Sequence, residues 1–256
     1  MGKTYANSFI SSRFIEAKNI FVLQRNSNGY ISESEIPNEN FSIIYDDKIN
    51  SFDVVVLAVK PQDFAIMSTT LKPYLNENQI IFSVMAGITI EKIKKNLGVD
   101  KIVRCMPNIP TQIGLGMTVF TASGEVDRKE LFIIQNLINT TGKSIYIENE
   151  NLIDAATAIS GSGPAYVFYF MQSMIQAAIQ LGFTESQAEL LVNQTFMGSV
   201  AIQNNFTLSN EQWIKKVASK GGTTESALNV FEHNHLSNVI IDAVLAANKR
   251  AKELGS

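Results

Sequence analysis

Residues 53–59, Asp-Val-Val-Val-Leu-Ala-Val, form a run of β-branched and aliphatic side chains without polar alternation. A strand with apolar side chains on both faces has to be covered on both, which points to a parallel sheet flanked by helices. The surrounding chain agrees. Ile20-Phe21-Val22-Leu23 and residues 41–45 predict strands before this run, and residues 79–84, 101–105, 117–121 and 144–147 predict strands after it. Helical stretches are expected at 62–74, 89–97 and 127–140; in the last, Leu131, Ile134 and Ile138 recur at helical spacing. Strand, helix, strand in repetition predicts a parallel α/β domain over residues 1–150.

The pattern changes near residue 150. From Asn151 to Ser256 no strand is expected, only long helices. Ala165 to Leu181 is almost continuously apolar or small, the composition of a helix buried on most sides. Thr184-Glu185-Ser186-Gln187 has capping-box spacing and opens a helix reaching about Asn204; others are expected at 209–218 and 236–254. The apolar helix needs neighbours, because burying one Leu or Phe side chain is worth roughly 1.5–3 kcal/mol. An ordinary bundle core and a second subunit are equally able to supply them.

Composition removes several classes. With 21 Lys+Arg against 24 Asp+Glu and a formal charge of −3, the chain lacks the basic surface that phosphate backbones require. The single cysteine, Cys105, excludes an intrachain disulfide and an all-cysteine metal site, and points to a reducing, cytoplasmic location. His233 and His235 are two residues apart, on different helix faces, so no metal site is expected. No apolar run approaches the roughly 18 residues of a membrane span.

Chemistry-bearing segments cluster at the ends of the expected strands. A dinucleotide-binding sheet places glycines and a helix amino terminus against the pyrophosphate; here only Met1-Gly2 precedes a helix with Ala6, Phe9 and Ile10 on one face. Gln24-Arg25-Asn26-Ser27 ends the strand at 20–23, where an adenine ribose lies. Arg25 offers a planar donor fork suited to a 2′-phosphate, favouring NADP over NAD, although a solvated arginine is the simpler reading. Ala58-Val59-Lys60-Pro61 closes the strongest strand with small residues and a helix-starting proline. Asn108, after Met106-Pro107, can reach a bound amide or simply hold a turn. Ser160-Gly161-Ser162-Gly163-Pro164-Ala165 reads as a helix junction that allows close packing. Gly221-Gly222-Thr223-Thr224 places a flexible nest at a helix start, able to hold a carboxylate or to serve as a plain cap.

Taken in order, Arg25-Asn26, Leu57-Ala58-Val59-Lys60-Pro61, Met106-Pro107-Asn108-Ile109-Pro110, Gly161-Ser162-Gly163-Pro164-Ala165 and Gly221-Gly222-Thr223-Thr224 resemble the motifs of pyrroline-5-carboxylate reductases from Gly2 nearly to the C-terminus. The resemblance implies an α/β Rossmann-like N-terminal domain followed by an all-α dimerisation domain. It also implies reduction of 1-pyrroline-5-carboxylate to L-proline by NAD(P)H, in a homodimer or a ring of dimers. By motif, Gly2, Arg25, Asn26, Ala58, Lys60, Pro61 and Asn108 would bind cofactor. Ser219, Gly221, Gly222, Thr223 and Thr224 would bind substrate, with the Thr224 hydroxyl bonding the imine nitrogen.

Two departures qualify the resemblance. Lys220 stands where the family usually has proline, adding a charge beside the carboxylate loop. The first strand of the sheet and the first glycines of the phosphate loop have no counterpart, since Met1-Gly2 aligns with the last two residues of G-x-G-x-M-G. Their loss is expected to expose two strand edges and remove most pyrophosphate donors. Either the natural chain extends upstream of Met1 or this is a cofactor-poor relative with a binding role. The alternative activity is that of a related NADP-dependent imine or hydroxy-acid reductase.

Overall fold

The computed structural model describes residues 1–25 and 35–255, so Asn26 lies outside the described residues. The chain forms two compact units, Met1–Ser162 with Ala247–Ser256, and Gly163–Ala246.

The first unit opens with helix α1 (Gly2–Ser11), on which Tyr5 and Phe9 are buried and Ala6 and Ile10 half-buried. Strands β1 (Val22–Leu23) and β2 (Phe41–Ser42) pair in parallel as a small sheet of their own. A second sheet holds β3 (Val54–Leu57), β4 (Ile80–Ser83), β5 (Ile102–Met106), β6 (Gly116–Ala122) and β7 (Gly142–Tyr146), in that order across the sheet. Helices α2 (Phe64–Leu71), α3 (Ile90–Leu97) and α4 (Arg128–Asn139) join them. The strand period of two sorts the apolar side chains into two cores. Ile81 and Ile102 pack with Phe64, Leu71, Ile93 and Leu97 of α2 and α3. Ile80, Phe82 and Val103 pack with Tyr5 and Phe9 of α1 and Ile134 and Ile138 of α4.

The sheet differs from the expected all-parallel one at β6, which runs antiparallel to β5. The connection between them, residues 107–115, contains only the 3₁₀ turn Ile109–Ile113. A parallel crossover needs about a dozen residues or more, usually with a helix, so the chain folds straight back. β7 then returns parallel to β6 after α4. Their register sets Gly142 opposite Gly116; at φ 141° in Gly142 a side chain would strike the Gly116 backbone. After residue 150 the chain continues in the first unit as α5 (Leu152–Ala156) and a π-turn at Thr157–Gly161.

The second unit is helical: α6 (Gly163–Gln180), α7 (Glu185–Asn205), α8 (Asn210–Val217), α9 (Thr223–His233) and the first part of α10 (Leu236–Gly255). Thr184 and Gln187 make the expected capping box, and Ser209 and Gln212 make another. Helix α6 has no buried residue within the single chain, so of the two covers expected for it a core of this chain's own helices does not supply one. Ala188 and Val192 are the buried apolar residues of this unit among those described, while Tyr169 and Leu181 are about four-fifths exposed. Helices this apolar cover one another only partly. Phe170 meets Phe196 and Phe231 edge-on, at 6.0 and 6.4 Å between ring centres.

Candidate functional site

The carboxyl ends of β1 and β3 and the amino end of α1 converge on one cleft of about 530 Å³. Gly2 and Ala58 line it together, and they touch closely: a Cβ on Gly2 would sit 3.1 Å from that of Ala58. Helix α1 starts at this point with no side-chain cap and no acidic residue in its first turn, an end suited to an anion. Just past Ala58, Lys60 flanks and Pro61 opens the 3₁₀ turn Pro61–Asp63, in the first-turn position where a missing N–H costs nothing. Arg25 projects from the end of β1 into solvent and reaches Asp63 at 3.6 Å. An exposed pair of this kind is worth at most about 1 kcal/mol, so the guanidinium remains open to a stronger anion. Of the expected cofactor residues, Gly2 and Ala58 line the cleft, Lys60 and Pro61 follow Ala58 in the chain, and Arg25 reaches the same turn through Asp63; the small residues and the uncapped helix suit a dinucleotide phosphate.

Asn108 takes the second of the two roles open to it, holding a turn. Its Nδ2 donates to the Ser160 carbonyl at 3.1 Å, and its Oδ1 accepts from the Met117 amide at 2.8 Å. Both ends of the amide are therefore engaged in pinning the π-turn and the start of β6. Gly161 packs beside it: a Cβ there would come within 2.6 Å of the Met106 methyl, which accounts for the glycine as close packing. Arg104, two residues before Met106, is almost fully buried and completes the anchorage. It donates to Glu150 at 2.8 Å and to Asp154 at 3.1 Å, and Glu150 also accepts the Ile90 amide at the head of α3. The sequence reading missed this cluster. A lone arginine within an apolar strand was the available signal.

In the second unit, the second candidate segment forms a tight turn at the head of α9. The Gly222 amide donates to the Ser219 carbonyl at 3.0 Å, and Gly221 takes the left-handed conformation with φ 73° that favours glycine. A side chain on Gly222 would collide with Ser219, whose Oγ lies 2.5 Å from that Cβ position. The Gly221 amide already holds a carboxylate, that of Glu225, at 2.7 Å. This residue too escaped the sequence reading, although an acidic residue in the first turn of a helix is a capping signal. Thr223 and Thr224 are the first two residues of α9, and no hydrogen bond of the Thr224 hydroxyl occurs among the described residues. Lys220 is exposed.

Other reactive side chains are unsuited to catalysis. Burial pushes the Cys105 thiol well up, so it stays neutral and is no nucleophile. Burial likewise raises the Tyr5 phenol, with a smaller contribution from Cys105. His233 and His235 are exposed at the α9–α10 junction. Among the described residues no three His, Cys, Asp or Glu side chains gather as a metal site, and no helix is long and apolar enough to cross a membrane.

Residues 150–254 match the family profile described as pyrroline-5-carboxylate reductase dimerisation. The pyrroline-5-carboxylate reductase of Aquifex aeolicus is 37% identical over 203 residues, covering 79% of this chain and 75% of that one. The solved structure of a pyrroline-5-carboxylate reductase from Coxiella burnetii superposes with a TM-score of 0.89 at 33% identity, covering all of this chain and 95% of its own. The Plasmodium falciparum pyrroline carboxylate reductase, solved with NADP bound, gives 0.87 at 29% identity with the same coverage.

Proposed function

The chain belongs to the pyrroline-5-carboxylate reductase family, and from that premise we propose that it reduces the C=N bond of 1-pyrroline-5-carboxylate to give L-proline, the last step of proline synthesis, in the cytoplasm. Residues 1–150 bind the nucleotide, and residues 151–256 hold substrate and pair with a second copy. The observation that carries this reading is the Gly221–Thr224 turn, where a hydroxyl without an internal partner stands at a helix amino end.

NADPH, when bound, supplies the hydride; NADH can do so more weakly. Gly2, Ala58, Lys60 and Pro61 line the site for it, and Arg25 takes the 2′-phosphate. Asn108 keeps the site in shape, its amide being committed to Ser160 and Met117. Asn26, which follows Arg25 in sequence and lies outside the described residues, completes the set by motif.

On the substrate side, the first-turn amides of α9 hold the carboxylate, with Ser219, Gly221, Gly222 and Thr223 shaping the turn. Thr224 donates a hydrogen bond from its hydroxyl to the imine nitrogen, which makes the ring carbon a better acceptor. No strong acid, metal or covalent nucleophile is required of the protein. Orienting two bound molecules can remove roughly 7–11 kcal/mol of the barrier.

Pairing follows from the second unit's surface. Helix α6 buries nothing within one chain, and the matched profile is that of a dimerisation region. A second copy covers these faces in a homodimer, and a ring of such dimers is the larger form. The test is oxidation of NADPH with pyrroline-5-carboxylate, compared with other cyclic imines and with 2-keto acids. Turnover confined to pyrroline-5-carboxylate is expected. Preference for another imine or a keto acid would establish the related-reductase reading, and NADPH binding without turnover the silent-relative one.

A further inference from the structure

Helices α4, α7 and α8 open with complete capping boxes. In each, the cap side chain accepts the amide of the third helical residue, and the side chain of that residue accepts the cap amide. At α9 the box is only half built. Its cap is Gly222, which has no side chain to offer. The first helical bond is that of the Ser226 amide to the Gly222 carbonyl at 3.2 Å. The amides of Thr223, Thr224 and Glu225 come before it and meet no acceptor among the described residues.

The other half of the box is present, displaced by one residue. Glu225 stands at the third helical position, but the Gly222 amide is taken by the Ser219 carbonyl, and Glu225 Oε2 accepts from the Gly221 amide at 2.7 Å. The Ser219–Gly222 turn thus closes on itself, and the bond to Glu225 fixes the closed turn against α9. Gly221 and Gly222 give the backbone wide freedom at this joint, with Gly221 in the left-handed region. An amide bond to a carboxylate is about twice as strong as one to a neutral acceptor, which suits it to hold such a joint. The half-buried Glu225 carboxylate forms no ion pair among the described residues, although Lys220 directly precedes Gly221. It is committed to the backbone.

We propose that Glu225 is a positioning residue for the substrate. By holding the Gly221 amide it sets the turn, and it leaves the amides of Thr223, Thr224 and Glu225 to receive the substrate carboxylate. This rests on the substrate site proposed above. Gly221 is then a fixed corner of the turn and not a donor to the ligand. The Thr224 hydroxyl belongs to the same first turn of α9 and is held with those amides. With Glu225 in place the turn is ordered before substrate arrives; without it, that ordering is drawn from the free energy of substrate binding. The effect falls on KM, because ground state and transition state need the same order.

Substitutions of Glu225 in the full chain separate reach from charge. Glu225→Gln keeps the reach and an acceptor oxygen but not the charge, Glu225→Asp keeps the charge but is too short, and Glu225→Ala keeps neither. Hydrogen exchange of the Gly221 amide is read by NMR, and steady-state kinetics are read with pyrroline-5-carboxylate and NADPH. In the Asp and Ala variants Gly221 is expected to exchange about tenfold faster, and the KM for pyrroline-5-carboxylate to rise about tenfold, as for a lost hydrogen bond to a charged group. Their kcat and KM for NADPH are expected to stay within about twofold of the native values. The Gln variant is expected to restore both Gly221 exchange and KM. A merely structural role would lower kcat through loss of folded enzyme, without a selective rise in KM. Unchanged Gly221 exchange in Glu225→Ala overturns the proposal, and so does an Asp variant that behaves as native while the Gln variant behaves as Ala. Faster exchange with an unmoved KM supports the hold on the turn and counts against the substrate assignment of residues 219–224.

Discussion

Replacing Thr224 with valine keeps the shape of the side chain and removes its hydroxyl. Thr224 is half-buried at the second position of α9, and its hydroxyl makes no hydrogen bond among the described residues. Folding therefore loses little, and surface changes of this kind stay within about 0.5 kcal/mol. If the hydroxyl donates to the imine nitrogen as hydride transfer pushes electron density onto it, its loss removes a hydrogen bond to a charge-bearing group, worth about 1.5–3 kcal/mol. That corresponds to a fall of roughly 10- to 150-fold in kcat/KM, carried mainly by kcat because the bond strengthens in the transition state. Thr224→Ser should retain most of the activity. The assay is steady-state NADPH oxidation with pyrroline-5-carboxylate at saturating cofactor, with urea unfolding to confirm equal stability. A Thr224→Val protein with unchanged kcat/KM, or one that loses only KM, would refute the placing of this hydroxyl at the reacting nitrogen.

Arg25→Ser removes the donor fork proposed for the 2′-phosphate and should weaken NADPH binding by about 1.5–3 kcal/mol while leaving NADH nearly unchanged; equal losses for both cofactors, by fluorescence titration, would place Arg25 elsewhere. Arg104→Met takes the buried cation away from Glu150 and Asp154. Both carboxylates keep some contact with solvent, so the loss should lie near the lower end of the 3–5 kcal/mol range for broken buried pairs; less than about 1 kcal/mol by urea denaturation would mean that the cluster does not anchor α5. The fourth prediction concerns Cys105, whose thiol pKa is raised by burial, so the folded chain keeps a proton that the unfolded chain releases above about pH 8.5. Stability should accordingly fall as pH rises from about 8.5 to 10, by up to about 1.4 kcal/mol per pH unit. Cys105→Ala should flatten that slope, and an unchanged slope in thermal unfolding across this range would rule the thiol out as its source.

Much of the fold was legible locally. The β-branched run at 53–59 became β3, and Ile80–Ser83 and Ile102–Met106 followed where their apolar side chains announced them. The Thr184–Gln187 capping box formed as spaced, because its partners are three residues apart and need nothing from the rest of the chain. The candidate site was legible as motifs and less so as roles. Asn108 looked available to a ligand, yet its amide is consumed by Ser160, 52 residues away in sequence. Glu225 was overlooked although it lies four residues from the amide it occupies.

What the amino-acid order determined by itself was the alternation of strand and helix, the change to helices near residue 150, and the motifs at the strand ends. These depend on contacts within a turn of helix or on the two faces of one strand. Tertiary structure alone decided the reversal of β6 and the burial of Arg104 between Glu150 and Asp154. Each brings together groups tens of residues apart, and packing rather than local preference selects among the partners available. The same reason explains α6: its composition promised burial, yet the single chain's own contacts bury none of its residues.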